Sequence, residues 1–224
     1  PVTLEAEPPE SPPPLLEGVR IAIARDAALS FIYRANLDLL QAMGAELSFF
    51  SPLIDSALPD ADALWLPGGY PELHGATLAG NRPMLEAIRN HYSAGKPMLA
   101  ECGGLMVCVE ELADHDGEIH NLLGIIPGRA SMAGRLQALG LQSLNTEQGQ
   151  LRGHTYHHSR LETDWQPLAR TRKVAGTEAE PVYCRKGLVA SYFHGYFPSA
   201  PELVAGIFRG QAIRPLIDKE PDYA

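Results

Sequence analysis

Short apolar runs alternate with helical stretches from Val19 onward, and this alternation limits the possible folds more than any other feature. VRIAIA (19–24) has the composition of a buried strand, and the stretch YRANLDLLQAM spaces its apolar residues at helical intervals before a terminating Gly44. ELSFF and ALWLP then predict the second and third strands. Because strands that alternate with helices build a largely parallel sheet, we predict an α/β fold with helices flanking the sheet.

The later part of the chain extends this pattern. A helix is predicted over 81–94, since Pro83 lies near its start and Gly95 follows its end, and PMLA (97–100) is the next strand. The segment from about 124 to 160 contains alternating, glycine-punctuated sequence such as LQALGLQSL, which predicts an antiparallel extension of the sheet. GLVASYF predicts a late strand, and PELVAGIFRG predicts a closing helix.

The first 18 residues differ in composition from the rest of the chain. They contain prolines at positions 1, 8, 9, 12, 13 and 14 among acidic and small residues, which favours extended, solvated backbone. We therefore predict a proline-rich interdomain linker over 1–18, a single domain over 19–215 and a C-terminal tail over 216–224. A linker implies a further domain before it, and a frayed N-terminal tail is the alternative.

Composition excludes several classes of partner. The formal net charge is −9 and no run of Lys or Arg occurs, so neither nucleic acid nor an anionic membrane surface is expected as a partner. No apolar run approaches the roughly 20 residues that span a bilayer. Three cysteines without CxxC spacing form no disulfide framework, so we expect a reducing compartment, the cytoplasm.

The stretch LAECGGLM carries a strand directly into Cys102 and two glycines. A nucleophile at a strand end needs such small neighbours to turn sharply into a helix, and the dipole of the predicted helix LMVCVEEL would lower the thiol pKa. The Gly103 N–H is then a candidate oxyanion donor. The alternative is a buried structural thiol, which is commoner for a free cysteine and which we expect for Cys108 and Cys184.

Two further segments offer what a nucleophilic cysteine needs. LWLPGGYPELH is a strand that ends in Gly68 and Gly69, and the carboxyl ends of parallel strands meet at one edge, where ligands bind. Gly69 is therefore the second candidate oxyanion donor, with an ordinary glycine turn as the alternative. ASYFHGYFP places His194 at the end of a third strand, which makes it the candidate base.

The segment LRGHTYHHSRLE contains His154, His157 and His158. No fourth ligand completes a zinc set and alternation separates His157 from His158, so we predict site lining or a domain contact and no metal site. The other histidines are expected on loops or exposed helix faces, and among them only His74, beside the glycine loop, is expected near a ligand. They are His74, His91, His115 and His120.

Four segments, LPGGYPELH, LAECGGLM, LRGHTYHHSRLE and ASYFHGYF, occur in this order between residues 20 and 210. Together they resemble the glutamine amidotransferase domain of cobyrinic acid a,c-diamide synthase, in the cobyrinate/cobyric acid synthase branch of the class I-like amidotransferases. The resemblance implies a flavodoxin-like, mostly parallel sheet. It also implies that Cys102 attacks the side-chain amide of glutamine to form a thioester, with His194 as base and the Gly68–Gly69 loop and Gly103 around the oxyanion.

The same resemblance implies partners outside this chain. Ammonia would pass to an N-terminal synthetase domain that activates the acetate carboxylates of a corrin with ATP and Mg²⁺. No phosphate loop of the GxxxxGK[ST] type occurs here, so we expect no cofactor in this chain itself. Whether the domain forms a homodimer is left open.

Two positions depart from the wider class I pattern. Tyr196 stands where those enzymes have a glutamate that orients the histidine, and Met106 stands where they have a glutamine. The branch resembled here also lacks the third member, so a Cys102 and His194 dyad is predicted. Many relatives in that branch have a second histidine at the place of Tyr196, and a base there would leave this domain impaired.

Three alternatives remain at this point. A stand-alone cysteine hydrolase or peptidase would also need a cysteine turn and a histidine, and a non-catalytic scaffold would keep only the fold. Related amidases, namely cobyric acid synthase, a cell-wall lipid amidase or a nickel-sirohydrochlorin amidase, share the amidotransferase domain. GGYPELH and the RGHxxHxS pattern favour the a,c-diamide branch.

Overall fold

A computed structural model describes residues 12–216 of the chain. Within that range no helix is long and apolar enough to cross a membrane. The elements in chain order are β1 (Arg20–Ala24), α1 (Arg34–Ala42), β2 (Glu46–Phe50), β3 (Ala63–Leu66), a 3₁₀ turn (Pro71–His74), α2 (Gly75–Gly80), α3 (Arg82–Ser93), β4 (Met98–Glu101), α4 (Gly103–Cys108), β5 (Val109–Ala113), β6 (Ile119–Asn121), β7 (Ile126–Met132), β8 (Ala138–Thr146), β9 (Gly149–His157), β10 (Ser159–Glu162), β11 (Ala169–Lys173), β12 (Glu178–Arg185), β13 (Leu188–Ser191), β14 (His194–Gly195), a second 3₁₀ turn (Phe197–Ser199) and α5 (Pro201–Phe208).

The predicted parallel sheet is confirmed. Its strands lie in the order β13-β4-β3-β1-β2 and all pair in parallel. In the register, Leu66 of β3 lies opposite Ala100 of β4, and Ser191 of β13 lies opposite Glu101. The carboxyl ends of these three strands therefore share one edge, and the loops that leave them converge there.

The helix boundaries follow the local signals in the sequence. The side chain of Asn81 caps α3 by accepting a hydrogen bond from the Met84 N–H at 3.4 Å. Gly44 after α1 has φ +91° and Gly95 after α3 has φ +72°, conformations that glycine adopts without strain. Both predicted stop signals therefore end their helices as expected.

The antiparallel extension is also confirmed. From β13 the ten-stranded sheet continues as β12-β11-β8-β9-β14, with antiparallel pairing throughout. The predicted helix over LMVCVEEL is wrong in its second half, because α4 ends at Cys108 and residues 109–113 form β5. β5 belongs to a separate four-stranded sheet, β10-β7-β5-β6, in which Val109 and Leu112 are fully buried.

Apolar residues cover both faces of the main sheet, and the chain before β1 contributes to one of them. Leu16 is fully buried in the cluster around Trp65 and Phe208, and its N–H donates to the Met43 carbonyl at 2.8 Å. Leu15 and Leu16 thus pack on the domain. Residues 1–11 of the predicted linker and residues 217–224 of the predicted tail lie outside the described residues, so the domain boundaries stay predictions.

Candidate active site

Cys102 stands at a sharp turn, because β4 ends at Glu101 and α4 begins at Gly103. Its backbone has φ 47° and ψ −102°. Such a conformation costs an L residue on the order of 1–3 kcal/mol. A Cβ on Gly104 would lie 2.0 Å from the carbonyl oxygen of Leu66, so the turn has no room for a side chain there. The structure therefore displays Cys102 on the strained turn that the sequence predicts.

The close approach at Gly104 makes a testable prediction. We expect Gly104→Ala to lower the free energy of unfolding by about 1–3 kcal/mol, because the new Cβ would force the turn away from β3. Thermal unfolding followed by circular dichroism measures the loss. Gly134→Ala is the matched control, since no heavy atom lies within 4 Å of a Cβ at that position. Equal melting temperatures for the two variants would contradict the close packing.

The loop after β3 lies directly against the cysteine turn. A Cβ on Gly103 would be 2.8 Å from the Gly69 nitrogen, so the two backbones touch. Within residues 12–216, the Gly69 N–H donates no backbone hydrogen bond, and the Gly103 N–H faces the sulfur of Cys102 and opposes the rise of its pKa. Two backbone donors are thus available beside the sulfur, as an oxyanion site requires.

Gly68 lies in the loop after β3, as predicted, and is close to the imidazole of His194. A Cβ there would lie 2.3 Å from Cε1 of His194. Gly68 therefore provides the space that the imidazole occupies, and its predicted place around the oxyanion stays a prediction. The loop after β3 thus contacts both the cysteine turn and the histidine.

A cavity of about 320 Å³ opens beside Cys102, and its volume is typical of small-molecule sites. Its lining includes Gly69, Glu72, His157 and His115. The prediction that His115 lies away from any ligand site is wrong, because the four-stranded sheet, which the sequence analysis missed, brings the β5–β6 turn to the cavity.

His74, in contrast, does not line this cavity, although it ends the 3₁₀ turn that follows the glycine loop. Glu72, two residues earlier, does line the cavity and is 8% exposed. Burial raises the pKa of its carboxyl above the usual value. Within PELH, the residue that faces the cavity is therefore Glu72, which the sequence analysis did not single out.

Cys102 is 6% exposed, and burial raises the pKa of its thiol to about 12. The negative charges of Glu72, Glu101 and Glu180 raise it further, and the Gly103 N–H only partly opposes them. Its Sγ lies 3.9 Å from the Tyr156 carbonyl oxygen, so the thiol can donate a weak hydrogen bond. The predicted lowering of the thiol pKa is therefore wrong, since α4 has only six residues and the desolvation of the sulfur outweighs its dipole.

His194 is buried, and its pKa falls to about 3, mainly through desolvation and further through His154 and His157. Its ring lies between His154, stacked at 4.9 Å between ring centroids, and Phe31 at 4.8 Å. Nδ1 of His194 has no hydrogen-bond partner within the described residues. The imidazole is therefore neutral and held by ring packing, in the protonation state that a general base requires.

The chain brings the cysteine and the histidine to the same sheet edge. The Cys102 N–H donates to the Ser191 carbonyl at 2.8 Å, three residues before His194, and Gly68 touches the imidazole. Among residues 12–216, no hydrogen bond joins the Cys102 sulfur to His194. His194 does not line the cavity beside Cys102, but a thiol of high pKa and an imidazole of low pKa at one sheet edge describe a resting state in which the proton stays on sulfur.

This resting state predicts how Cys102 reacts with a neutral alkylating reagent. Because the thiol pKa is raised, only a small fraction is thiolate at neutral pH, and that fraction increases about tenfold for each unit rise in pH. Alkylation of Cys102 by iodoacetamide, measured by peptide mass mapping, should therefore accelerate steadily with rising pH. A rate that levels off near neutral pH would reveal a thiolate–imidazolium pair and contradict the resting state.

His157 lines the cavity, but both of its ring nitrogens have hydrogen-bond partners within the protein. Its Nδ1 lies 2.9 Å from the Ser159 carbonyl oxygen, and its Nε2 lies 3.2 Å from Oε1 of Glu180. The ring stacks on Tyr192 with 3.9 Å between centroids. His157 thus shapes the cavity wall, and neither nitrogen is free to bind a metal ion.

His154 and Tyr196 face a second opening, a groove of about 770 Å³ that Arg152 and Lys173 also line. Nδ1 of His154 lies 2.9 Å from the Tyr33 hydroxyl. Tyr196 is 41% exposed and its ring stands edge-on to Tyr33. Tyr196 therefore lies on the rim of this groove, away from the cavity that Cys102 lines.

Two other histidines are more buried than predicted. His91 is 8% exposed on α3 and contacts the Pro97 carbonyl at 3.1 Å, and His120 is 5% exposed on β6. His120 forms, with Asp114 and Glu118, a group whose potential ligand atoms lie within 4.8 Å of one another. Asp114 already accepts two backbone hydrogen bonds in this turn and one from His120, so the group stabilises the turn between β5 and β6.

Residues 20–202 match the CobB/CobQ-like glutamine amidotransferase domain family. The chain belongs to this family. It is 54% identical over 208 residues to the hydrogenobyrinate a,c-diamide synthase of Pseudomonas aeruginosa, covering 92% of this chain and 48% of that protein. It is 50% identical to the cobyrinate a,c-diamide synthase of Herminiimonas arsenicoxydans, covering 87% of this chain and 45% of that protein. The CobB/CobQ-like chain thus spans about half the length of these relatives.

Solved structures place the CobB/CobQ-like domain in the wider amidotransferase fold. A glutamine amidotransferase crystal structure superposes with a TM-score of 0.59 at 19% identity, covering 86% of this chain and 98% of the other. PurLQS from Thermotoga maritima superposes with a TM-score of 0.54 at 16% identity, covering 86% and 96%. The predicted class I amidotransferase-like α/β fold is therefore confirmed, and the identity of the chain as a glutamine amidotransferase domain follows from its family.

Proposed function

We propose that this domain hydrolyses glutamine at Cys102 and supplies ammonia for ATP-dependent amidation of corrin acetate side chains. The observation that carries the proposal is the strained backbone of Cys102 at the end of β4, beside two backbone donors and a small-molecule cavity. Membership of the CobB/CobQ-like glutamine amidotransferase family argues against the stand-alone peptidase alternative.

In the proposed reaction, glutamine enters the cavity and the neutral imidazole of His194 accepts the proton of the Cys102 thiol. The sulfur attacks the amide carbon, and the Gly69 and Gly103 N–H groups stabilise the oxyanion that forms. His194 then returns the proton to the amide nitrogen, and the C–N bond breaks. Ammonia departs, and a γ-glutamyl thioester remains on Cys102. Water, deprotonated by His194, attacks the thioester and releases glutamate with the thiol restored.

The electrostatics of the free site indicate when this proton transfer occurs. With the thiol pKa near 12 and the imidazole pKa near 3, the transfer is strongly unfavourable before substrate binds. Occupation of the cavity by glutamine and rearrangement of the glycine loop would change the surroundings of both groups. We therefore expect slow hydrolysis by this domain alone and faster hydrolysis with its synthetase partner.

The proposed partner is an ATP-dependent synthetase domain that lies N-terminal to this one. The chain spans only 48% of the Pseudomonas aeruginosa relative, which leaves room in that protein for such a domain. ATP and Mg²⁺ would bind there, and we propose no cofactor for this chain. The names of the relatives favour hydrogenobyrinate or cobyrinate as the corrin, and the three free cysteines fit a reducing compartment, for which we propose the cytoplasm.

Glutamate release tests the proposal. The chain would be incubated with glutamine, with asparagine and with a peptide library, alone and together with the N-terminal half of the Pseudomonas aeruginosa relative, ATP, Mg²⁺ and hydrogenobyrinate. We expect release from glutamine only, accelerated by the added synthetase half, and amide formation on the corrin. Peptide cleavage would support the peptidase alternative, and no release in either setting would support the scaffold alternative.

A further inference from the structure

Gly195, the residue after His194, forms hydrogen bonds to buried side chains through both its N–H and its carbonyl. Its N–H donates to Oε1 of Glu101 at 2.8 Å, and its carbonyl accepts from Nδ2 of Asn36 at 2.9 Å. Oδ1 of Asn36 also accepts from the Phe197 N–H at 2.8 Å. Glu101 is 5% exposed and Asn36 is 1% exposed, so water does not compete for these bonds.

The two side chains come from different elements, and each makes a further hydrogen bond. Glu101 is the last residue of β4, directly before Cys102, and its Oε2 accepts a hydrogen bond from Nε1 of Trp65 at 2.9 Å. Asn36 projects from α1. Glu101 therefore joins the strand that carries the nucleophile to the segment that carries the histidine.

The other backbone support of the segment that carries the histidine comes from β9, where the Arg152 carbonyl accepts a hydrogen bond from the Tyr196 N–H at 2.7 Å. β14 consists of His194 and Gly195 alone, paired with β9 at His154 and Gly153. No hydrogen bond reaches Nδ1 of His194 from the residues that the structure describes. The backbone and the ring packing must therefore set the direction of the imidazole.

The position two residues after His194 does not supply an orienting carboxylate. Tyr196 stands there, and its ring is 41% exposed beside Tyr33. A buried carboxylate is nevertheless present, at Glu101, and it contacts the peptide of the histidine segment instead of the imidazole. Burying a carboxylate costs stability, and apolar residues of the same volume are often at least as stabilising. The two directed bonds of Glu101 thus call for an explanation other than packing.

We propose that Glu101 and Asn36 are positioning residues that clamp the Gly195 peptide and thereby fix the His194 imidazole relative to the Cys102 sulfur. The inference rests on the proposed function for its kinetic consequences. In the wider class I pattern, a glutamate at the position of Tyr196 orients the histidine. Here Glu101 and Asn36 would take that role by holding the backbone of Gly195. Neither residue lines the cavity beside Cys102, so neither is expected to bind glutamine.

Asn36→Leu and Glu101→Gln test the clamp. Asn36→Leu removes both hydrogen bonds of the Asn36 side chain and keeps a side chain of similar volume. Glu101→Gln replaces one acceptor oxygen with an NH₂ group, which then faces a hydrogen-bond donor. Displacement of the imidazole by about 1 Å should lower kcat for glutamine hydrolysis about 10- to 100-fold. KM for glutamine should change less than about threefold, because the cavity is untouched.

Leu40→Ala is the matched control. Leu40 is fully buried on α1, like Asn36, but packs in the apolar cluster and has no polar group to hydrogen-bond Gly195. It should lower the melting temperature at least as much as Asn36→Leu while keeping kcat. In the His194→Ala background, Asn36→Leu should cause no further loss of kcat, because the group that it positions is gone. Equal losses of kcat in Leu40→Ala and Asn36→Leu would overturn the proposal.

A second readout does not depend on turnover. The ¹H–¹³Cε1 resonance of His194, assigned with His194→Gln, reports the surroundings of the imidazole directly. We expect the resonance to shift or broaden in Asn36→Leu and Glu101→Gln and to keep its position in Leu40→Ala. An unmoved resonance in both clamp variants would refute the clamp even if the chain hydrolysed no glutamine, whereas absent hydrolysis with a moved resonance would refute only the proposed function.

Discussion

Cys102→Ala is expected to abolish glutamine hydrolysis, with a loss of at least about 10,000-fold in kcat, because the thioester cannot form without the sulfur. The backbone at this position has φ 47°, and alanine is no more strained there than cysteine, so the fold should survive. Ammonia or glutamate release, followed with a coupled dehydrogenase, measures the rate. The amidation that uses free ammonium salts in a complete synthase should be unaffected, since that route bypasses this site.

Cys108→Ala is the control for Cys102→Ala. Cys108 is the last residue of α4, is fully buried and also has a thiol pKa raised to about 12 by burial. It is enclosed in the core and does not line the cavity, so we expect turnover to be retained within about threefold. Substantial hydrolysis by Cys102→Ala, or equal losses in both variants, would contradict the assignment of the nucleophile.

His194→Ala is expected to lower kcat about 100- to 10,000-fold, because general acid–base catalysis contributes a factor of this size. The imidazole of His194 is neutral, and its depressed pKa means that it stays neutral at moderately acidic pH. Steady-state rates of glutamate release across a range of pH measure both the loss and its pH dependence. As the pH is lowered through the ordinary pKa of a histidine, the wild-type rate should therefore not fall.

Tyr196→Phe distinguishes His194 from the residue at position 196 as the base. Because the ring of Tyr196 lies on the groove rim beside Tyr33, removal of its hydroxyl should change kcat less than about threefold. A loss as large as that of His194→Ala would place the proton transfer at position 196 instead. Retained activity in His194→Ala would contradict the dyad outright.

Much of the fold could be predicted because its signals are local. The alternation of apolar runs and helical stretches predicts the parallel strands, and Gly44 and Gly95 end the helices that precede them. Glycines follow two predicted strands, at Cys102 and at Gly69. Because the carboxyl ends of neighbouring parallel strands lie at one edge of the sheet, the sequence predicts that these two loops meet. The order of four motifs then predicts the family.

The remaining features depend on contacts between distant parts of the chain. LMVCVEEL has a helical apolar pattern, but its second half becomes β5 because it pairs with β6 and β7, which a local pattern does not contain. The raised thiol pKa depends on burial by the surrounding fold. Asn36 and Glu101 meet Gly195 across 159 and 94 residues of sequence, so nothing near either residue indicates its role.

Labelling with the glutamine mimic 6-diazo-5-oxonorleucine, followed by intact-mass analysis, tests whether Cys102 is the nucleophile of a glutamine site. We expect a single adduct on Cys102, slower in His194→Ala and absent in Cys102→Ser, because the reagent requires both a glutamine site and an activated sulfur. The contradicting result is modification of Cys102 by iodoacetamide without any labelling by the mimic, both for the chain alone and with the synthetase half of the Pseudomonas aeruginosa relative.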